Sequence, residues 1–182
     1  MRLGGLILAG IFGVVFPASA GSIDQRFSRK LGQIQETLRA GEWEAYATGY
    51  VWHLPYAYDQ VTRGRLNAKI WGGGLGRAMT DGDGDRHSVY LLGFSDSHEK
   101  AQFVASYGWQ RYLRFDQKLS LGWGYMAFLF CREDVNHYLP IPAALPCASI
   151  RFRQWEAVGL FVPHVSKDIK GDVFFVFLRT TL

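Results

Sequence analysis

The sequence predicts an all-β protein: eight antiparallel strands in an up-and-down barrel, preceded by one amphipathic helix. Three observations carry this expectation. Beyond Gly41 the apolar residues fall into eight strand-like segments bounded by turn-forming residues. The connections alternate, long after the first, third, fifth and seventh segments and short after the others, as an up-and-down barrel requires. The composition joins 15% aromatic residues to 21 glycines, which suits short strands, aromatic girdles and close turns better than packed helices. An even strand number closes the sheet and removes its edges. Barrels of this size exist both in water and in membranes, so strand number leaves the surroundings open.

The chain starts with Arg2, an apolar run from Leu3 to Phe16, and Pro17-Ala18-Ser19-Ala20. That is the pattern of a secretory signal peptide over residues 1–20, cut after Ala20. The run is shorter than the ~20 residues of a spanning helix. Removing Arg2 from the 20 Lys and Arg leaves 19 against 16 Asp and Glu, a mature charge of +3. So mild an excess permits contact with anionic lipid or phosphate without demanding it, and no nucleic-acid partner is expected.

Residues 21–41 read as the helix. Ile23, Phe27, Leu31, Ile34 and Leu38 share one face, Ser22 or Asp24 caps the start, and Gly41 ends it. A globular core is the first expectation for such a stripe, and a membrane interface is the second. Residues 42–182 then hold the barrel. Its strands are expected at Glu42–Trp52, from Ile70 towards the Asp81–Gly84 turn, at Arg86–Ser95, Ala101–Leu113, Leu119–Cys131, Ile141–Ile150, Trp155–Pro163 and Asp172–Thr181.

The fifth segment says most about the lumen. Leu119, Leu121, Trp123, Tyr125, Ala127 and Leu129 form a wholly apolar face. The opposite face runs Ser120, Gly122, Gly124, then Met126, Phe128 and Phe130. The fourth segment agrees in reverse, with Val104, Ser106 and Gly108 followed by Gln110 and Tyr112. The lumen is thus polar towards the short turns and apolar towards the long loops. Two readings follow: a pocket for an apolar ligand floored near Gly108, or a barrel filled by its own side chains. Cys131 and Cys147 lie symmetrically about a loop near Leu139, which allows a disulfide across a hairpin; each also fits as a small buried apolar group.

Between the third and fourth segments, Ser95-Asp96-Ser97-His98 sits at a long-loop tip, where chemistry is often placed. The same residues make turns by bonding the local backbone. The five histidines show no metal-ligand spacing, and Gly72-Gly73-Gly74 lies in a strand pattern and not before a helix, so neither metal nor cofactor is expected.

Several motifs occur together in one order: Trp52-His53, Tyr56-Ala57-Tyr58-Asp59, Trp71-Gly72-Gly73-Gly74, Asp96-Ser97, Tyr107-Gly108-Trp109, and Tyr138–Ser149 with its prolines. This array resembles the outer-membrane lipid A palmitoyltransferase family across nearly the whole mature chain. The resemblance implies a monomeric transmembrane barrel with a periplasmic helix. It implies transfer of palmitate from the sn-1 position of a phospholipid to a hydroxyacyl chain of lipid A. It places catalysis on His53, Asp96 and Ser97, with Ser97 as nucleophile or oxyanion donor. It makes Gly108 the pocket floor, so that Ser106 and the inward Met126, Phe128 and Phe130 read from the strand faces are expected along the acyl path. It makes Pro146 and Pro163 a lateral gate. Four positions depart from the family pattern. Thr48 and Ile70 replace the prolines of a second gate, Ser106 stands where glycine is common, and Leu182 replaces a terminal aromatic. The rival functions are a lipid-binding barrel without chemistry, a structural barrel or adhesin, and a soluble carrier.

Overall fold

The computed structural model describes residues 23–56, 68–95, 100–132, 138–163 and 172–182. The expected signal peptide, Ser22, Asp96, Ser97 and His98 lie outside the described residues. Helix α1 spans Ile23–Ala40. Strands β1 (Glu42–His53), β2 (Gly72–Thr80), β3 (Arg86–Ser95), β4 (Ala101–Arg114), β5 (Leu119–Arg132), β6 (Ile141–Phe152), β7 (Trp155–Val162) and β8 (Val173–Thr181) follow. Each pairs antiparallel with its neighbours in the sequence, and β8 returns to β1, so the sheet is a closed barrel.

Period-two alternation dictates the wall. Outward residues include Trp43, Trp123, Phe152 and Trp155 near the short turns and Trp52, Phe103 and Phe174 near the long loops, all exposed. Leu75, Leu91, Leu129 and Leu178, equally exposed, lie between these aromatic bands. The short turns close with local polar chemistry. At the β4–β5 turn the Asp116 carboxylate accepts the N–H groups of Lys118 and Leu119 at 2.5 and 2.7 Å. Those two bonds hold its pKa below the usual carboxylate value.

The helix corrects the first expectation for its apolar stripe. Phe27 is 65% exposed, and Leu31 and Leu38 also face outward, while Thr37 is fully buried. The closed sheet has its core inside, so the apolar stripe of α1 is not needed to complete it. On this side β3, β4 and the β2–β3 turn carry a polar group of side chains: His87 Nδ1 lies 2.7 Å from the Tyr107 hydroxyl and Nε2 lies 2.9 Å from Asp81 Oδ2. The Lys30 ammonium sits 5.9 Å over the Tyr107 ring. Gly41 ends the helix where only glycine fits. A Cβ there would fall 2.5 Å from Thr37 O and 2.8 Å from Ala78 O.

The cysteines stay apart as free thiols. Cys147 faces Gly124 across the β5–β6 ladder, seven residues from Cys131, about 23 Å of strand and far beyond disulfide reach. The hairpin is centred nearer the end of β5 than Leu139.

The lower lumen is a charged plug. Arg179, 1% exposed, donates through Nη2 to Glu156 Oε1 at 3.0 Å, Tyr112 at 2.8 Å and Gln110 at 2.5 Å. Arg151 bonds Glu156 Oε2 at 2.8 Å, Gln110 reaches Ser149 at 2.9 Å, and Arg86 pairs with Glu44. Removing one member of a buried pair strands its partner's charge. Glu156→Gln is therefore expected to destabilise the barrel by about 3–5 kcal/mol. Denaturant titration of the detergent-folded protein, followed by tryptophan fluorescence, measures it.

Candidate functional site

The site is built at the long-loop end, where β1 finishes at His53. In β1 the buried positions are Glu44 and Tyr46 and then Val51 and His53, so the inward parity changes from even to odd. The cause is a register shift between Thr48 and Tyr50 in the β1–β8 ladder. One extra residue rotates all that follows by one strand face. Without it His53 would point outwards with Trp52. With it, His53 is 8% exposed and opposite Val173 of β8. The next residue is tied down by Leu54 N–H donating to Asp172 O at 3.1 Å.

The end of β3 lies at the same level. Ser95 pairs with Ala101, and its N–H donates to Trp71 O at 3.0 Å. Its hydroxyl is buried with no hydrogen-bond partner among the described residues. Asp96 and Ser97 follow it directly in the chain.

Below these strand ends, three rows cross β3, β4 and β5. Leu92, Val104 and Phe130 form the upper row; Tyr90, Ser106 and Phe128 the middle one; Ser88, Gly108 and Met126 the lowest. From Val104 to Gly108 is about 13 Å of strand. Val104 and Phe128 keep part of their surface open, whereas Gly108 is buried and Met126 has no exposed surface. Phe94, Leu145 and Phe175 complete the partly open apolar wall above a buried cluster of Tyr46, Tyr90, Val158 and Phe177. The Tyr46 and Tyr90 rings stack at 4.5 Å, and the Tyr90 hydroxyl donates to Met126 Sδ at 3.0 Å. A Cβ on Gly108 would lie 2.7 Å from Ser88 Oγ and 3.6 Å from Met126 Cγ. Ser106 turns its hydroxyl to Ala127 O at 3.3 Å, leaving the lumen at that height less polar than its residue type predicts.

Two seams are incomplete beside this apolar half. β6 pairs with β5 from Ile141 to Phe152 but with β7 only from Cys147 to Phe152. Pro146 stands immediately above the last pair, and Pro163 follows the end of β7. Proline has no N–H, so it suits an unpaired edge. On the other side, the β1–β2 ladder stops at Ala47–Gly73 and returns only as the Tyr50–Lys69 bridge. That interruption coincides with the bulge, although Thr48 and Ile70 carry no proline. Among the described residues, no group of three His, Cys, Asp or Glu side chains is placed to hold a metal ion.

A protein-family model described as "Antimicrobial peptide resistance and lipid A acylation protein PagP" matches residues 33–179. The chain belongs to the PagP family. It is 33% identical over 171 residues to a protein of Bordetella parapertussis called lipid A acyltransferase PagP, covering 92% of this chain and 93% of that one. A Laribacter hongkongensis relative with the same name is 33% identical, covering 86% of this chain and 74% of its own length. A third, from Dickeya dadantii, is 35% identical over 75% of this chain and 68% of the relative. Family membership thus agrees with the resemblance carried by Trp52-His53, Tyr107-Gly108-Trp109 and the β6 prolines.

The bulge is what the sequence reading missed. Its only signal was that Tyr46 and His53, an odd number of positions apart, cannot both face the lumen of a regular strand. Gly49 is the unpaired residue, yet a Cβ there would approach nothing closer than Val176 O at 3.5 Å. The extra residue matters and its lack of a side chain does not. Deleting Gly49 should therefore turn His53 outward and abolish function in a folded barrel, while Gly49→Ala keeps it. Chemical modification of His53 by a lipid-soluble reagent reports the change of face.

Proposed function

We propose that this protein is an outer-membrane acyltransferase. In this reading it moves a palmitoyl chain from the sn-1 position of a glycerophospholipid to a hydroxyacyl chain of lipid A. The observation that carries it is the buried imidazole of His53, turned inward above the partly open apolar half of the lumen. Membership of a family whose relatives are called lipid A acyltransferases supports it. So do the aromatic bands of the outer wall, which match the two interfaces of a membrane barrel. The outward stripe of α1 then lies on the periplasmic interface, with the long loops outside the cell.

In the proposed chemistry the donor chain occupies the apolar lumen down to Gly108. Phospholipid enters laterally through the open β6–β7 seam beside Pro146 and Pro163, and lipid A approaches the interrupted β1–β2 seam. His53 takes the proton of the acceptor hydroxyl as its oxygen attacks the sn-1 carbonyl carbon. Asp96 orients and charge-balances the imidazole, and Ser97 donates to the developing oxyanion. Collapse breaks the ester C–O bond, the proton on His53 passes to the leaving oxygen, and lysophospholipid departs.

His53→Ala should reduce acyl transfer by about 10²–10⁴-fold, the usual worth of a positioned general base, with the barrel still folded. Mass spectrometry of lipid A from cells carrying either form reads the result; a lipid-binding or structural barrel would add no palmitate in either. Gly108→Met should shift donor preference to shorter chains, because its side chain must grow into the space beside Met126. Competition between donors of different chain length checks this, and an unchanged preference removes Gly108 from the floor.

A further inference from the structure

The short-turn end of the lumen holds a second cavity, of about 100 Å³, beneath the level of Gly108. Its walls include Arg86 of β3, Arg151 of β6, Arg179 of β8 and Arg153 in the β6–β7 turn, with Glu44 and Glu156. Four arginines thus line the cavity with two glutamates, an excess of two positive charges, although the Arg153 guanidinium also lies 5.5 Å over the outward Phe152 ring at the mouth. The plug does not use all of its donors. Arg179 spends Nε and Nη2 on Glu156, Gln110 and Tyr112, and Arg86 gives Nη2 to Glu44. Arg179 Nη1 and Arg86 Nε, both buried, have no hydrogen-bond partner among the described residues.

Unmet buried donors are costly, and those of an ionised guanidinium especially so. A low-dielectric wall also strengthens the field of the uncompensated charges. The ligand that answers both demands is an anion with several acceptor oxygens, which arginine forks match in geometry. We propose that this cavity is a binding site for a phosphate-class oxyanion, entered from the short-turn mouth. Arg86 and Arg179 line its inner wall, where their unpartnered N–H groups turn towards the anion as it binds, and Arg153 stands at the mouth. Such binding is separate from acyl transfer and acts on barrel stability, because the anion bonds β3 to β8 beneath the pocket floor.

The test uses the full mature barrel folded in detergent and titrated with inorganic phosphate at constant ionic strength, so that general screening is fixed. Calorimetry should show one saturable site per barrel, and Tm should rise with occupancy. Thr181→Glu places a carboxylate in the cavity wall and should weaken phosphate binding at least tenfold. Arg153→Asn keeps the turn, since Asn accepts the positive φ of 57° found there, and should weaken binding several-fold. A second arm compares phosphatidylcholine vesicles with and without phosphatidylglycerol, in phosphate-free buffer. Stabilisation by that lipid that Thr181→Glu removes assigns the oxyanion to a headgroup, whereas stabilisation by inorganic phosphate assigns it to the free ion. No saturable effect in either arm overturns the proposal, as does equal affinity in Thr181→Glu. Should that variant not fold, unchanged affinity in Arg153→Asn overturns it.

Discussion

An eight-stranded sheet that closes on itself has a lumen only wide enough for side chains, and that width governs the whole molecule. Each inward position must be filled by something compatible with its neighbours at the same height. Near the short turns the filling is ionic, with Arg179 tied to Glu156, Tyr112 and Gln110 and Arg86 tied to Glu44. Near the long loops it is apolar, and Val104, Phe128 and Phe175 retain open surface. Gly108 and Met126 mark the level at which one regime gives way to the other. The ionic half closes one end and fixes the lower strands, so the upper half has a floor.

Closure also explains where the barrel is incomplete. Hydrogen bonding runs the full length of the β3–β4 and β4–β5 ladders, yet is cut short between β6 and β7 and interrupted between β1 and β2. Both gaps lie beside the apolar half. On one side prolines remove donors; on the other, a one-residue bulge changes the strand's face. The second device serves two ends, because the bulge that loosens the β1–β2 seam also directs His53 inwards. With Thr48 and Ile70 in place of prolines, the β1–β2 ladder is still interrupted there, through register instead of a missing N–H.

Much of the fold was legible because period two is a local property. The limits of β3 were read to the residue, and those of β5 and β8 to within one, since turn residues such as Asp116 and Asp172 border uninterrupted alternation. The division of the lumen was legible from β5 alone, as Gly122 and Gly124 precede Met126 and Phe128 on one face. The helix was harder. Its stripe of Phe27, Leu31 and Leu38 was evident, but the side it faces depends on what the barrel wall presents, and His87 and Tyr107 come from other strands. The cysteine spacing misled for a similar reason: hairpin symmetry depends on where pairing ends.

The sequence by itself determined the strand number, the faces, the polar-to-apolar gradient and, through ordered motifs, the family. These are carried by residue type and spacing within single segments. Only the tertiary structure decided which way His53 points, which donors of Arg86 and Arg179 remain unmet among the described residues, and where the strand ladders break off. Each depends on the register between strands distant in the chain, and a shift of one residue reverses the face without altering the composition.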